Sequence, residues 1–251
     1  MAMFPALERI AAPANRHAVG TLYGAATLTD LEAPARIEGG VRIEQVNCSG
    51  DEGTVDLDCP PGEDDDPRWD LGERAGALEF EAFGVWARDE CGLVGSDEDE
   101  AERAIQRLRI TEERLVSRRF ADTLLERAES GDGGALGDVL ADVEELLGET
   151  GMTGVIHASR RLLPEGVKNG WVKRGSNGRL ESPGGHTWAF GTGYRALGGA
   201  IVATGPVTIF RTPVETVPSV DHRQNRRGAL AEREVLPTYE CVAVSYSVGG
   251  A

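Results

Sequence analysis

Lysine is almost missing from this chain: of 26 basic residues only Lys168 and Lys173 are lysines, and all the others are arginines. Two origins fit this lopsidedness. One is a GC-rich genome that favours arginine codons. The other is a high-salt cytoplasm, where an acidic, lysine-poor surface keeps a protein in solution. Long apolar runs are lacking too. No window approaches the roughly 18 consecutive apolar residues of a membrane-spanning helix, so no such span is predicted. The first residues, MAMFPALERIAAPANRH, have no basic start followed by an apolar stretch. The expectation is therefore a protein without a secretory signal, made and kept in a cytoplasm. Cysteine is sparse: Cys48, Cys59, Cys91 and Cys241 form neither a C-x-x-C pair nor a zinc-finger spacing with histidine. Cys48 and Cys59 flank an acidic turn, where a disulfide is geometrically conceivable, although a reducing cytoplasm would let it form only late. Buried free thiols are the expected state.

Recognisable chemistry is lacking as well. The four histidines, His17, His157, His186 and His222, are scattered along the chain. His157 follows two apolar β-formers and reads as a satisfied buried side chain rather than a base. Ser159 shares its strand face, but no G-x-S-x-G elbow supports a nucleophile there. The glycines of GTGYRALGG do not follow the dinucleotide pattern G-x-G-x-x-G. Carboxylates are too abundant for any pair to stand out. No catalytic, cofactor-binding or metal site is predicted, and the chain does not read as an enzyme. Its net charge of -16 disfavours binding to nucleic-acid phosphates. Such a chain would instead tolerate enclosed DNA by repelling it.

What is present is a deliberate α+β pattern. Residues 1–36 read as an extended arm with a short helix at 5–11. Residues 41–46 (VRIEQV) and 78–87 (LEFEAFGVWA) alternate as half-buried strands, joined by the exposed acidic excursion PPGEDDDPRWDLGERAG into a long hairpin. Trp69 near its tip either folds back on its own loop or anchors in a neighbouring subunit. A long helix should start at the N-cap Ser96 and carry Ala101, Ile105, Leu108, Leu115, Phe120 and Leu124 to about residue 128. Arg103, Arg107, Arg114, Arg118 and Arg119 line its polar faces, where Glu100, Glu102, Glu112 and Glu113 are the expected partners. After the ESGDGG break, a second helix carries Leu136, Val139, Leu140, Val143, Leu146 and Leu147 on one stripe. Then come the strand GVIHAS, a short helix or turn, the hairpin WVKRG–RLES, and the strand TWAFGTGY. The strands IVAT and VTIF follow, then an Arg-rich bend QNRRGALAERE and a last strand YECVAVSYSV.

This order resembles the major capsid proteins of tailed double-stranded DNA viruses, the Hong Kong 97-type fold. The phrases FEAFGVWARDECGLVG, GVIHASRRL, GRLESPGGHTWAFGTGY, ATGPVTIFRTPVET and HRQNRRGALAERE are similar to those of capsid proteins from phages of GC-rich actinobacteria. The resemblance implies an N-terminal arm (1–37), an E-loop with the first peripheral strands (38–90), and a peripheral-domain spine helix (91–133). A compact axial domain (134–200) and the returning peripheral strands (201–251) complete it. It implies self-association into hexamers and pentamers, in a virion capsid assembled in the host cytoplasm. Separate scaffold, portal and decoration proteins would be partners, DNA would be enclosed without sequence-specific binding, and neither a membrane nor a cofactor would be involved. Some relatives weld subunits through an E-loop lysine, but this E-loop has no lysine, so that chemistry is expected to be absent. Expected subunit contacts are Trp69, Asp64, Asp65 and Asp66 on the loop, and Arg118, Arg119, Arg226 and Arg227 on arginine-rich edges. The alternatives are an encapsulin-type compartment shell, a minor head protein, or an α+β enzyme using His157 or His186.

Overall fold

Two apolar helix stripes and one pair of strands buried on both faces set the architecture. A computed structural model describes residues 19–32, 37–48, 54, 76–92 and 100–249. In chain order these form a helical turn α1 (Leu22–Ala25), β1 (Thr27–Asp30), β2 (Val41–Ile43), β3 (Leu78–Phe80) and β4 (Phe83–Gly92). The helix α2 (Glu100–Arg127) follows, then β5 (Glu129–Ser130), α3 (Leu136–Glu149), β6 (Val155–Ala158) and α4 (Leu163–Lys168). Next come β7 (Lys173–Arg174), β8 (Leu180–Glu181), β9 (Thr187–Ala189) and β10 (Ala200–Thr204). The chain closes with β11 (Val207–Arg211), β12 (Glu215–Asp221), β13 (Arg226–Tyr239) and β14 (Ala243–Ser247). Among the described residues no helix is long and apolar enough to cross a membrane.

The strands make three sheets. In the first, β13 is the hub: β11 and β12 pair with one side of it, β4 with the other, and β1 adds in parallel beyond β11. The second runs β5-β14-β10-β6-β9-β8-β7. The third is the β2–β3 pair, with Val41 opposite Phe80, at the root of the long hairpin. Helix α2 spans 28 residues, about 42 Å at 1.5 Å per residue. Its buried positions Ala104, Leu108, Val116, Phe120, Ala121 and Leu124 pack mainly on β4 and β13. Helix α3 sets Leu136, Val139, Leu140, Val143 and Leu147 in the other core, with Trp188 and Phe190.

β6 and β10 lie between the two cores. Ile156, Ala158, Ile201 and Ala203 belong to the α3 core, whereas Val155 and Val202, on the opposite face, belong to the α2 core. A strand covered on both faces must be apolar throughout, which is why GVIHAS and AIVAT are continuous rather than alternating runs.

Several expectations needed correction. LEFEAFGVWA is not one strand but two, because the chain leaves β3, paired with β2, and joins the main sheet as β4. VRIEQV holds strand geometry only over Val41–Ile43. The arginine-rich bend is confined to residues 222–225, with Asn225 at φ 53°, and Arg226 already opens the 14-residue strand β13. Buried Ala229 and Ala231 lie on one face of it, flanked by the charged residues 226–227 and 232–234, a half-buried strand pattern hidden by high charge. YECVAVSYSV is broken at Cys241, whose φ of 63° ends β13 and redirects the chain into β14. Cys48 is bonded to Cys241, so neither is a free thiol and Cys48 does not pair with Cys59; the Cys91 thiol donates to Glu100. The helix start at Ser96 and the short helix at 5–11 lie outside the described residues.

The loop before the 3₁₀ turn Tyr194–Leu197 presses on α2. A Cβ on Gly193 would stand 2.3 Å from the Arg114 carbonyl oxygen and 2.4 Å from the Arg118 nitrogen. Both are backbone atoms of a helix and cannot yield, so glycine is required for space rather than for its backbone angles. Gly193→Ala is expected to lower unfolding stability by about 2 kcal/mol or more in a denaturant melt. A Gly178→Ala control, where a Cβ meets nothing within 4 Å, should lose only the smaller cost of its positive φ.

Candidate assembly surfaces

The two histidines that could have served an enzyme are both engaged. His157 is fully buried on the α2 side of β6, edge-on to Phe120 with ring centroids 5.6 Å apart. Its Nε2 lies 2.9 Å from Thr204 Oγ1, and its Nδ1 lies 2.8 Å from the Tyr194 hydroxyl. The Thr204 hydroxyl donates its one proton to the Gly205 carbonyl, so it accepts from His157 Nε2–H. Nδ1 then accepts from Tyr194. Burial drives the His157 pKa down to about 3 and the Tyr194 pKa upward, so both groups stay neutral. Neither ring nitrogen is left to take a proton from Ser159, whose hydroxyl instead accepts the Arg161 N–H. His186 Nδ1 accepts the Gly154 N–H at 3.2 Å, and its Nε2 faces Glu144 at 3.6 Å. Glu144 also accepts the Gly184 N–H, so this group ties the 182–186 turn to α3.

A polar lock fixes the segment 19–32 to the rest. Glu112 and Glu113, expected as helix-surface partners for arginines, are instead buried. Glu112 accepts from the Tyr23 hydroxyl at 2.7 Å and lies 3.4 Å from Arg233 and 3.6 Å from Arg211. Glu113 accepts the Tyr23 backbone N–H at 3.2 Å. Arg211 closes the group with a two-pronged bond to Asp30, both arms 2.8 Å. Burial first, and the Glu112 charge second, raise the Tyr23 pKa, so the phenol remains a donor. A helical phase count could have found this site: Glu112 falls four residues after Leu108 and four before Val116, on the apolar stripe.

A groove runs between α2 and the open edge of β4. It is lined by Phe83, Trp86, Arg88, Arg107, Arg114 and Arg119, among others. Arg103 and Arg107 reach Asp89 on β4, at 2.9 and 3.2 Å, and Arg107 also donates to the Arg88 carbonyl at 2.8 Å. That bond shows the Arg88 carbonyl pointing off the sheet. β4 pairs with β13 alone among the described residues, so this edge is unpaired. Trp86 is 58% exposed, and Arg88, Arg114 and Arg119 are exposed without an acidic partner among the described residues.

Of the contact residues expected from sequence, Arg119 lines this groove and Arg118 is exposed beside it on α2. Arg226 bonds Glu90 at 2.8 Å and Arg227 bonds Glu100 at 2.7 Å, both within the chain. Glu100 also accepts from Cys91, and that bond, with Arg227 behind it, holds the Glu100 carboxyl below its ordinary range. Trp69, Asp64, Asp65 and Asp66 lie outside the described residues. Sequence reading missed Trp86 and Arg88 as a surface, because alternation on β4 shows which residues point outward but not that the strand is an edge.

Two outcomes follow from these contacts. Glu112→Ala removes the one carboxylate shared by Tyr23, Arg211 and Arg233, and is expected to cost about 3 kcal/mol or more of unfolding free energy. His157 stays neutral in the fold down to about pH 3, while in the unfolded chain it takes a proton below about 6.5. Its contribution is therefore complete above pH 6.5 and declines as pH falls from there toward 3, by on the order of 1 kcal/mol per pH unit. In melts across that range, His157→Gln should show a shallower loss of stability on acidification than the unsubstituted chain.

No sequence-family model and no curated protein sequence matches the chain. Solved structures do. The capsid of a native GTA particle superposes with a TM-score of 0.58 at 11% identity, over 97% of this chain and 96% of that one. The holo-SrpI encapsulin complex from Synechococcus elongatus gives 0.56 at 12% identity, over 96% and 92% of the two chains. The mature capsid of bacteriophage PhiM1 gives 0.53 at 11% identity, over 99% and 93%. The chain thus superposes along nearly the whole length of each of these structures, and the fold is the Hong Kong 97-type capsid fold.

Proposed function

We propose that this chain is the major capsid protein of a tailed virus, whose copies assemble as hexamers and pentamers into an icosahedral shell around DNA. The observation that carries this reading is the superposition on shell subunits over almost the full length of both partners, 97% and 96% in one case. In this reading α2 is the spine of a peripheral domain completed by residues 201–251. Residues 134–200 form the axial domain, and residues 38–90 are an E-loop reaching a neighbour. The groove beside α2 supports it: Arg88, Arg114 and Arg119, without an acidic partner among the described residues, suit an acidic segment of another copy on a chain of net charge -16. The run Asp64–Asp66 and Trp69 has that chemistry, with Trp86 as an apolar floor. Arg118 extends the same basic surface, whereas Arg226 and Arg227 would enter any contact already paired to Glu90 and Glu100. A separate scaffold and a portal would complete assembly, and the acidic chain would face DNA without binding it.

Expressed with its scaffold partner and viewed by negative stain, the protein should form closed shells. A subunit that stays monomeric across salt and concentration would sink the proposal. Shells purified from infected cells should contain DNA; DNA-free shells loaded with a cellular enzyme would favour a compartment instead. The double substitution Arg114→Glu with Arg119→Glu should abolish shell formation while leaving unfolding stability within about 1 kcal/mol, since both side chains are exposed. Adding Asp64→Arg and Asp65→Arg should restore it. Undiminished assembly of the charge-reversed protein would remove the groove from the interface.

A further inference from the structure

Among the described residues the root of the long hairpin rests on three ladder pairs, Val41–Ile43 against Leu78–Phe80. Immediately after β2, however, the chain is fastened to a different part of the molecule. Gln45 is buried, and its Oε1 accepts the Cys241 N–H at 2.5 Å. Asn47 Nδ2 donates to Glu240 Oε2 at 2.8 Å. Cys48 is joined to Cys241 by a disulfide that spans 193 residues of sequence. On the other strand of the hairpin, Phe80 meets Tyr239 edge-on at 5.1 Å. All these anchors gather on residues 239–241, where the chain passes from β13 in one sheet to β14 in the other.

That turn is a firm support. Cys241 sits in the left-handed region, and the Gly205 N–H bonds the Val242 carbonyl beside it. A Cβ on Gly205 would meet the Glu240 carbonyl oxygen at 2.1 Å, so the turn between β10 and β11 is packed directly on it. Both cysteines are only half-buried, open to a small reagent. The polar contacts do not need the disulfide: with both thiols reduced, Gln45 Oε1, 3.1 Å from Cys48 Sγ, is placed to accept the S–H. The folded chain thus holds the two sulfurs together before any bond forms, and the long separation in sequence makes their pairing depend on folding first.

We infer that Cys48 and Cys241 form a redox-operated clasp at the hairpin root. In the reduced state the root is held by Gln45, Asn47 and the β2–β3 ladder, and can open locally. In the oxidised state it is fixed to the turn that joins the two sheets. The oxidant is a small-molecule disulfide of the glutathione class. Its S–S bond breaks, Cys48–Cys241 forms, and the two electrons and two protons of the protein thiols leave as two small thiols. The inference concerns the single chain and stands whether or not the chain builds a shell.

The test compares intact protein equilibrated in glutathione disulfide with the same protein in excess dithiothreitol. Cleavage after glutamate, including Glu52, separates Cys48 from Cys59, and mass mapping of the oxidised sample should give a Cys48–Cys241 linked pair. Reduction should lower the melting temperature by about 5–10 °C. It should also raise deuterium uptake in peptides covering 41–48 and 78–80, with little change in α2 or β6. Cys48→Ser, which keeps Gln45 and Asn47, should behave like the reduced protein and ignore the reductant. Three results would each overturn the clasp: linkage of Cys48 to Cys59, an equal response of Cys48→Ser to dithiothreitol, or uptake that rises uniformly over the whole chain.

Discussion

The molecule depends on β6 and β10 being covered on both faces, by α3 on one side and by the α2 core on the other. Such strands can present nothing but apolar or internally satisfied groups. His157 and Thr204 are the two polar side chains they turn toward α2, and these satisfy each other. The same requirement brings the Gly193 loop into backbone contact with α2, because a side chain there would lift the sheet off the helix. Polar groups with unmet capacity are therefore displaced to the periphery: the open edge of β4, the exposed face of α2 and the hairpin root.

Much of this was legible in the sequence, and what was not has identifiable causes. The α3 stripe, the buried strand β6 and the hairpin between 41–46 and 78–87 were legible from periodicity, although the ladder is confined to 41–43 and 78–80. IVAT, VTIF and YECVAVSYSV read as alternating partners in one sheet, but β10 is covered on both faces and β11 lies in the other sheet. The buried reading of His157 rested on its two apolar predecessors, and its hydrogen bonds to Tyr194 and Thr204 bear it out. β13 was missed because Arg227 and Arg233 fall on the same strand face as the buried Ala229, Ala231 and Val235, so charge interrupts the apolar alternation. The breaks at residues 81–82 and at Cys241 are changes of sheet, decided by contacts far along the chain. The Cys48–Cys241 pair was invisible for the same reason, since proximity in sequence favoured Cys59. The lock around Glu112 was within reach, but a Glu doublet on a helix reads by default as solvent-facing.

The arginine excess acquires a structural sense from where the guanidinium groups lie. Arg211 and Arg233 are largely buried and bridge several elements through shared carboxylates, a task suited to a planar fork with several donors. Arg103 and Arg107 hold α2 on β4 through Asp89 in the same way. With those roles filled, several guanidiniums are left without partners among the described residues, and three of them share one place. Arg88, Arg114 and Arg119 border one groove.

On a chain with 42 acidic residues, such a cluster changes how two copies approach. Copies of net charge -16 repel each other, and salt screens that repulsion beyond a Debye length of about 10 Å at 0.1 M. In the proposed assembly, an approach that sets an acidic segment of one copy against the basic groove of another gains attraction at contact. Wrong orientations keep the repulsion, so the charge excess supplies orientation as much as solubility. Area and apolar contact must then supply the strength, which directs attention to Trp86 and the unpaired β4 edge beside it, where backbone groups offer bonds that salt does not screen.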